Sequence, residues 1–204
     1  MMMRKGLLIV YSGPSGVGKG TILGPYLKEH PEAVLSVSMT TRAPRPGETD
    51  GVEYHFVTRE QFESEIAAGG LLEYAQYSGN YYGTPHRMVE EQRAQGRDVV
   101  LEIEVQGAAH IRKVCPDAVF IFVMPPSYET LENRLSGRGT EPPEVVQRRL
   151  EAARTELRCA AEYDYIIVND DLEEARARLG AVIIAARCEA RRMKNMIDKV
   201  EQNV

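Results

Sequence analysis

The sequence lacks tryptophan, has only three cysteines among its 204 residues, and contains no long apolar run. Cys115, Cys159 and Cys188 lie far apart, and their spacing matches neither a disulfide framework nor a zinc site. We therefore expect free thiols in a reducing compartment. No apolar run approaches the ~18 residues that a membrane span requires. These absences favour a cytoplasmic protein without a membrane segment.

The sequence also has no excess of basic residues. Lysine and arginine number 25 against 30 aspartates and glutamates, and the formal net charge is -5 at pH 7. Binding to nucleic acid or to an anionic membrane depends on a basic surface, so we expect neither as a partner. The basic stretch 185–199 is interpreted as a solvated helix end. With 43% hydrophobic and 27% charged residues, the composition predicts one soluble domain with a sizeable core.

Short apolar runs alternate with helical stretches along the chain. The runs that predict buried strands are residues 6–12, 98–105, 118–124 and 165–168. Strands separated by helices are typical of a doubly wound parallel sheet, so the predicted fold class is α/β. Residues 34–82 interrupt the alternation, and their short Ser-, Thr- and Tyr-rich runs predict a small, mixed insertion.

Local signals mark several helix starts. Thr58 and Gln61 form a capping-box pattern, and Asp171 precedes the last long helix in the same way. Two prolines at 142–143 are tolerated in a first helical turn, and they predict a helix that runs to about residue 159.

A glycine-rich stretch, GPSGVGKGT, follows the first predicted strand and precedes a helix, predicted from Thr21. The backbone N–H groups of such a loop and the helix N-terminus bind phosphate, and Lys19 can reach the terminal phosphates of a nucleotide. The alternative is a simple capping turn, which leaves Lys19 unexplained. The predicted phosphate-binding residues are Gly13, Pro14, Ser15, Gly16, Val17, Gly18, Lys19, Gly20 and Thr21.

Gly20 stands where the usual phosphate loop has a serine or threonine that binds Mg²⁺. The metal must then rely on phosphate oxygens, water and acidic side chains, so no direct metal ligand is assigned. The same glycine occurs in adenylate kinases, which points to small nucleotide kinases. Glu102 and Glu104 lie two apart on a predicted strand and should share a face near the loop, where they organise Mg²⁺-bound water or orient basic residues. The alternative is a polar strand edge.

A second anion site is predicted within the insertion. Arg42 and Arg45 lie three residues apart in a proline-rich turn, which suits a phosphate clamp because it restrains permanently charged, planar donors. Residues 51–56 and 72–84 add a carboxylate, tyrosines and hydroxyl groups. Such a set indicates the acceptor pocket of a kinase.

Four regions in this order resemble the guanylate kinase family, bacterial type: GPSGVGKGT, SMTTRAPRPGE, EYAQYSGNYYGT, and RLSGRGTE followed by VNDD. The resemblance covers about residues 6–171. It implies ATP-dependent phosphorylation of GMP or dGMP in purine nucleotide metabolism, with ATP as the phosphoryl donor and with Mg²⁺. The implied parts are a core (1–34, 85–133 and 160–204), a GMP-binding region (35–84) and a mobile lid (134–159).

The resemblance also implies roles for residues in the GMP pocket. Those implied to bind the GMP phosphate are Arg42, Arg45, Tyr54 and Tyr82. Those implied to contact guanine are Ser38, Glu73 and Thr84, with Glu104 also on the substrate side. The N–H donors of guanine suit a carboxylate, and its O6 suits hydroxyl groups. Thr84 and Glu104 stand where the family often carries serine and aspartate, and both keep the functional group.

On the ATP side, the resemblance implies that Arg134 lies against adenine. It implies an adenine contact for Asn169, for which helix capping is the alternative. The implied catalytic residues, which neutralise charge around the transferring phosphate, are Lys19, Arg42, Arg138 and Arg149. No general base is expected, because the attacking phosphate oxygen is already ionised at neutral pH.

Two other functions share parts of this pattern. A phosphopeptide-binding module of the same fold typically loses the loop lysine or the lid arginines, and all of these are present here. A ribose-bisphosphate kinase of related fold should lack Ser38, Glu73 and Thr84. No obligate protein partner is evident from the sequence.

Overall fold

The computed structural model of the chain describes residues 5–77, 79–137 and 142–202. A parallel sheet of five strands forms its centre. In spatial order these strands are β2 (Ala33–Leu35), β7 (Asp98–Glu102), β1 (Leu8–Ser12), β8 (Val119–Met124) and β9 (Tyr165–Val168). The predicted α/β class with a parallel sheet is therefore confirmed.

Helices connect these strands and cover the sheet. In the described part of the chain they are α1 (Lys19–Glu29), α2 (Arg59–Ala67), α3 (His86–Ala94), α4 (Val105–Val114), α5 (Tyr128–Ser136), α6 (Pro143–Arg158), α7 (Leu172–Arg187) and α8 (Lys194–Glu201). Among these residues, none of the helices has the length and apolar content needed to cross a membrane.

The core has two sides, because alternate residues of a strand face opposite sides of its sheet. Leu8 and Val10 of β1 join one buried cluster, which includes Val89 from α3. Ile9 and Tyr11 join the other cluster, to which α1, α5, α6 and α7 contribute. Burial on both sides explains the nearly continuous apolar sequence of β1.

A second sheet of four strands forms the insertion. In spatial order its strands are β4 (His55–Phe56), β3 (Met39–Thr40), β6 (Asn80–Pro85) and β5 (Leu71–Tyr77). β5 and β6 are antiparallel, as are β3 and β6, whereas β3 and β4 are parallel. Helix α2 belongs to this region and begins with the predicted capping box, in which Thr58 and Gln61 exchange hydrogen bonds. The predicted mixed insertion is confirmed.

Several boundaries differ from the sequence-based prediction. The strand predicted over residues 98–105 ends at Glu102, and Glu104 is the N-cap of α4. Helix α1 begins at Lys19, two residues earlier than predicted. The stretch 185–199 is not one helix end, because α7 ends at Arg187 and a short 3₁₀ turn precedes α8.

Candidate functional site

The glycine-rich loop lies at the carboxyl edge of the central sheet, between β1 and α1. Gly18 is the N-cap of α1 and has a φ of 91°, in the left-handed region. A Cβ at Gly18 would also lie 2.5 Å from Nδ2 of Asn169. This position therefore requires glycine for both backbone and packing reasons. A glycine-rich turn directly before a helix N-terminus is an arrangement suited to binding an anion.

Lys19 is the first residue of α1, and its ammonium group turns back over the loop. Its Nζ donates hydrogen bonds to the carbonyl oxygens of Gly13 at 2.7 Å and Pro14 at 3.3 Å. Burial lowers the pKa of Lys19, and three nearby carboxylates oppose that shift. These carboxylates belong to Glu102, Glu156 and Glu104. The predicted phosphate lysine thus lies in an acidic cleft.

Two side chains hold the Val17 carbonyl of the loop. Asn169 Nδ2 donates to this oxygen at 2.7 Å, and Arg134 Nη1 donates to it at 3.3 Å. Arg134 Nη2 also donates to the Asn169 carbonyl at 3.0 Å. The helix-capping alternative for Asn169 is wrong, because Asp171 caps α7 by accepting from the N–H of Glu174. Asn169 and Arg134 therefore lie together beside the phosphate loop.

Helix α6 also contacts the glycine-rich loop. Arg149 Nη2 donates to Ser15 Oγ at 2.6 Å. Glu156, two turns further along α6, is half-buried near Ser15 and Lys19. Arg138, the other predicted lid arginine, lies outside the described residues.

A cavity of about 310 Å³ opens between the second sheet and α4. Its lining residues are Ser38, Tyr54, Glu73, Ala75, Tyr82, Gly83, Glu102, Ile103, Glu104, Gln106 and Gly107. The structure thus brings together Ser38, Tyr54, Glu73, Tyr82 and Glu104, five residues that the sequence analysis assigned to the substrate side. A pocket of this size, with mostly apolar walls and a few carboxylate and hydroxyl groups, suits a flat ring with polar edges.

Glu73 and Thr84 form a buried polar pair at this cavity. The antiparallel register of β5 and β6 places them opposite each other, and Thr84 Oγ1 donates to Glu73 Oε1 at 2.7 Å. Burial raises the pKa of Glu73, which the hydrogen bond from Thr84 partly offsets. A Cβ at Gly107 on α4 would lie 2.9 Å from Glu73 Oε2, so glycine leaves room for the carboxylate. Thr84 therefore holds the Glu73 carboxylate in place through Oε1, and Oε2 faces α4.

The proline-rich turn contains a carboxylate, Glu48, that binds both of its arginines. Arg42 Nη2 pairs with Glu48 Oε1 at 2.9 Å, and Glu48 Oε2 accepts from the backbone N–H of Arg45 at 2.7 Å. The Arg42 guanidinium lies 5.4 Å from the ring centre of Tyr54, which in turn meets the Tyr82 ring edge-on at 5.8 Å. Arg42, Tyr54 and Tyr82 therefore form one cluster, with exposed Arg45 next to it.

A second cavity, of about 360 Å³, extends from the glycine-rich loop to the first cavity. Gly13 and Lys19 line one end, and Ser38, Tyr54 and Glu104 line both cavities. Glu102 and Glu104 do not share a strand face as predicted, because the chain turns into α4 between them. Both nevertheless line the two cavities, so the predicted proximity to the loop is correct although its reason was wrong.

The oxygen chemistry near Lys19 suits Mg²⁺ held largely by phosphate. Glu102 and Glu104 supply carboxylate oxygens, the ligand type that Mg²⁺ prefers. In the part of the chain that the structure describes, no group of three or more acidic, histidine or cysteine side chains is placed to hold a metal by itself. Gly20 and Thr21 are exposed in the first turn of α1.

Glu48, Glu156 and Gly107 are among the residues of the site that were absent from the predicted set. Glu48 lies three residues after Arg45, and this opposite charge in a tight turn was the available signal. Glu156 follows Arg149 by two helical turns, so a helical-face argument could have placed it at the loop. Gly107 carried no signal, because only the approach of Glu73 shows why glycine stands there.

Comparisons with known proteins agree on one family. The family described as "Guanylate kinase" matches residues 5–186. The chain is 56% identical to the guanylate kinase of Symbiobacterium thermophilum over 94% of this chain and 90% of the relative. It is 49% identical to that of Latilactobacillus sakei over 100% of this chain and 99% of the relative. The crystal structure of guanylate kinase from Anaplasma phagocytophilum is similar, with 35% identity, a TM-score of 0.75, and coverage of 94% of this chain and 92% of that one.

Proposed function

The chain belongs to the guanylate kinase family, and we propose from its site how it carries out the ATP-dependent phosphorylation of GMP. The observation that carries the proposal is the shared lining of the two cavities, one at Lys19 and one at Glu73. A phosphate loop and a base pocket that open onto each other allow the donor and acceptor phosphates to meet. Transfer between them yields ADP and GDP, and dGMP is the second proposed acceptor.

Guanine recognition is assigned to the buried pair Glu73 and Thr84, with Ser38 at the cavity wall. Guanine offers N1–H and N2–H donors to the Glu73 carboxylate, whereas adenine has a bare N1 at the corresponding place. Burial raises the pKa of Glu73, which means that the empty pocket disfavours the ionised carboxylate. Two N–H donors from guanine would stabilise that ionised form. Adenine would offer no such pair of donors to the buried Glu73 carboxylate, whose remaining partner would be the Thr84 hydroxyl, and this makes the pocket selective.

The acceptor phosphate is assigned to Arg42, Arg45, Tyr54 and Tyr82. Arg42 already lies against Tyr54 and is held by Glu48, so its guanidinium is oriented before substrate arrives. Oriented donors lose less conformational entropy on binding, and a guanidinium matches two phosphate oxygens at once. Glu104 lies between this cluster and Lys19, on the wall common to both cavities.

The ATP phosphates are assigned to the loop from Gly13 to Thr21, with Lys19 as the mobile cation. Lys19 bonds two loop carbonyls in this structure, and it would exchange these bonds for phosphate oxygens. Adenine is assigned to the surface formed by Arg134 and Asn169. Both side chains are anchored to Val17, so the adenine surface is tied directly to the phosphate loop.

The reaction needs charge neutralisation and alignment more than proton transfer, because the attacking phosphate oxygen is ionised. Lys19, Arg42, Arg149 and Arg138 are proposed to cancel the repulsion between two polyanions. Mg²⁺, bound by phosphate oxygens and reached by Glu102 and Glu104 through water, would add positive charge at the donor phosphates.

The moving parts are proposed to be a GMP-binding region (35–84) and a lid (134–159) on a core made of the remaining residues. Arg149 on α6 contacts the loop, and the Arg42 cluster lies on the second sheet, so the cationic groups come from separate parts. Their closure would exclude water and complete the cationic site.

A coupled assay of ADP release tests the function with GMP, dGMP, AMP and ribose bisphosphate as acceptors. We expect turnover with GMP and dGMP and little with the other two. Turnover with ribose bisphosphate instead would support the related kinase. Binding of a phosphopeptide without turnover of any acceptor would support the binding module.

A further inference from the structure

Gly107 lies in the first turn of α4 and lines the first cavity together with Glu73. It is buried, and its φ lies outside the left-handed region that favours glycine, so alanine would fit its backbone conformation. Glycine in a helix costs up to about 1 kcal/mol relative to alanine. The backbone therefore gives no reason for glycine at this position.

The Glu73 side chain occupies the space that a side chain on Gly107 would need. A Cβ there would lie 2.9 Å from Oε2 of Glu73, 3.3 Å from its Cδ and 3.4 Å from Cδ1 of Ile103. A methyl group and an oxygen atom this close overlap, so the carboxylate would have to move. Its movement is restricted, because Oε1 accepts a hydrogen bond from Thr84 Oγ1 at 2.7 Å and the residue is only 7% exposed. The carboxylate is therefore confined between β6 and α4.

Two other helical glycines have no such neighbour. A Cβ at Gly24 of α1 would meet no described atom within 4 Å, and one at Gly180 of α7 would lie 3.7 Å from Cε2 of Tyr26, an ordinary contact. Alanine fits both positions without displacing a side chain. Gly107 differs because its neighbour is a carboxylate that already has a partner on another element.

We propose that Gly107 is a positioning residue for guanine recognition, because the absence of a side chain there leaves the Glu73 carboxylate oriented to accept the N–H donors of the base. An alanine methyl would push Oε2 away from α4, which would strain the bond to Thr84 and misplace the acceptor. The inference rests on the proposed function, since it requires that Glu73 bind guanine. It adds that α4, and not only the β5–β6 hairpin, determines the affinity for the base.

The first test is steady-state kinetics of Gly107→Ala with GMP and ATP varied in turn. We expect the KM for GMP to rise roughly tenfold, the effect of weakening one hydrogen bond to a charged group. The kcat and the KM for ATP should change less than about twofold, because the displaced carboxylate is assigned to the base and not to either phosphate. Gly180→Ala is the matched control, and it should have the wild-type constants.

The second test asks whether the methyl group acts through Glu73. In a chain that already carries Glu73→Ala, the added Gly107→Ala should change kcat/KM for GMP less than about twofold, because no carboxylate remains to be displaced. A further loss of about tenfold in that background would overturn the proposal, because the methyl group would then act on the pocket by another route.

Thermal unfolding covers the case in which Gly107→Ala loses stability. Any fall in melting temperature that this substitution causes in the wild-type chain should disappear when it is made in the Glu73→Ala chain, since the overlap is then removed. An equal fall in both chains would overturn the proposal.

An unchanged KM for GMP in Gly107→Ala, or a loss confined to kcat, would overturn this inference alone. Failure of the wild-type chain to phosphorylate GMP would instead overturn the proposed function. Wild-type kinetics in the Glu73→Ala chain would overturn the guanine assignment on which the inference rests. The three failures are therefore distinguishable with the same set of variants.

Discussion

At the scale of single residues, the pairing of Glu73 with Thr84 depends on the fold. The β5–β6 register brings the Thr84 hydroxyl to 2.7 Å from the buried Glu73 carboxylate, at the wall of the first cavity. Family resemblance predicts that both residues contact guanine, and this role stays a prediction. The sequence alone could not predict the hydrogen bond between them, because that depends on the hairpin register.

Glu73→Gln should lower kcat/KM for GMP by about 10²- to 10⁴-fold, mainly through KM, and leave the KM for ATP nearly unchanged. The amide presents an N–H₂ group toward guanine donors and cannot accept both of them. Steady-state kinetics with each nucleotide varied in turn measures this. Glu63→Gln, an exposed change on α2, serves as the control. Equal kinetic constants for GMP in the wild-type and Glu73→Gln chains would show that Glu73 does not recognise guanine.

Gly20→Ser should fold normally, with a stability equal to the wild type or higher by up to about 0.5 kcal/mol. A Cβ at Gly20 would meet no described atom within 4 Å, and the residue lies exposed in the first turn of α1. Packing therefore does not explain this glycine, in contrast to Gly18. Thermal unfolding of the two chains checks the expectation. A loss above about 1 kcal/mol would show a constraint on Gly20 that its surroundings do not reveal.

At the scale of elements, predictions succeeded where one local signal was sufficient. Thr58 and Gln61 close a capping box, and Asp171 caps α7, both within four residues of sequence. The break after Glu102 was missed because apolar residues continue through Ile103 and Val105 into α4. A run of strand-forming residues does not show where the strand ends, because tertiary packing determines that position.

Thr58→Ala should destabilise the chain by about 1 kcal/mol, because the N–H of Gln61 loses its side-chain acceptor at the start of α2. Denaturant unfolding measures the change. Ser64→Ala, an exposed substitution inside the same helix, should leave stability unchanged or slightly raised. Equal effects of the two substitutions would mean that the cap contributes nothing beyond helix propensity.

At the scale of the whole molecule, the arrangement of the site residues depends on contacts between distant parts of the chain. Arg149 donates a hydrogen bond to Ser15, and Asn169 donates one to Val17. Two segments late in the sequence therefore contact the glycine-rich loop, which lies near the N-terminus. Residue types and motif order predicted several of the side chains that the structure brings together at the two cavities and beside the loop. The clamp on Val17 and the position of Glu156 required the three-dimensional structure, because no sequence periodicity links those segments.

Closure should be visible as compaction. With a non-hydrolysable ATP analogue and GMP together, we expect a smaller radius of gyration in solution scattering than with either ligand alone. The physical reason is that the cationic groups lie on separate regions and are drawn to the same two phosphates. An unchanged radius with both ligands bound, verified by calorimetry in the same buffer, would argue against the proposed moving lid and GMP-binding region.

The position of β1 in the central sheet also affects how the chain acquires its structure during synthesis. Leu8 pairs with Val99, and Ile9 pairs with Val119, so both neighbours of this strand are translated long after it. The segment that precedes the phosphate loop leaves the ribosome early and remains without a sheet partner until β7 follows. Such long-range pairing slows folding, and β1 cannot complete its pairing in the sheet until β8 has been made, although β1 comes first in the sequence.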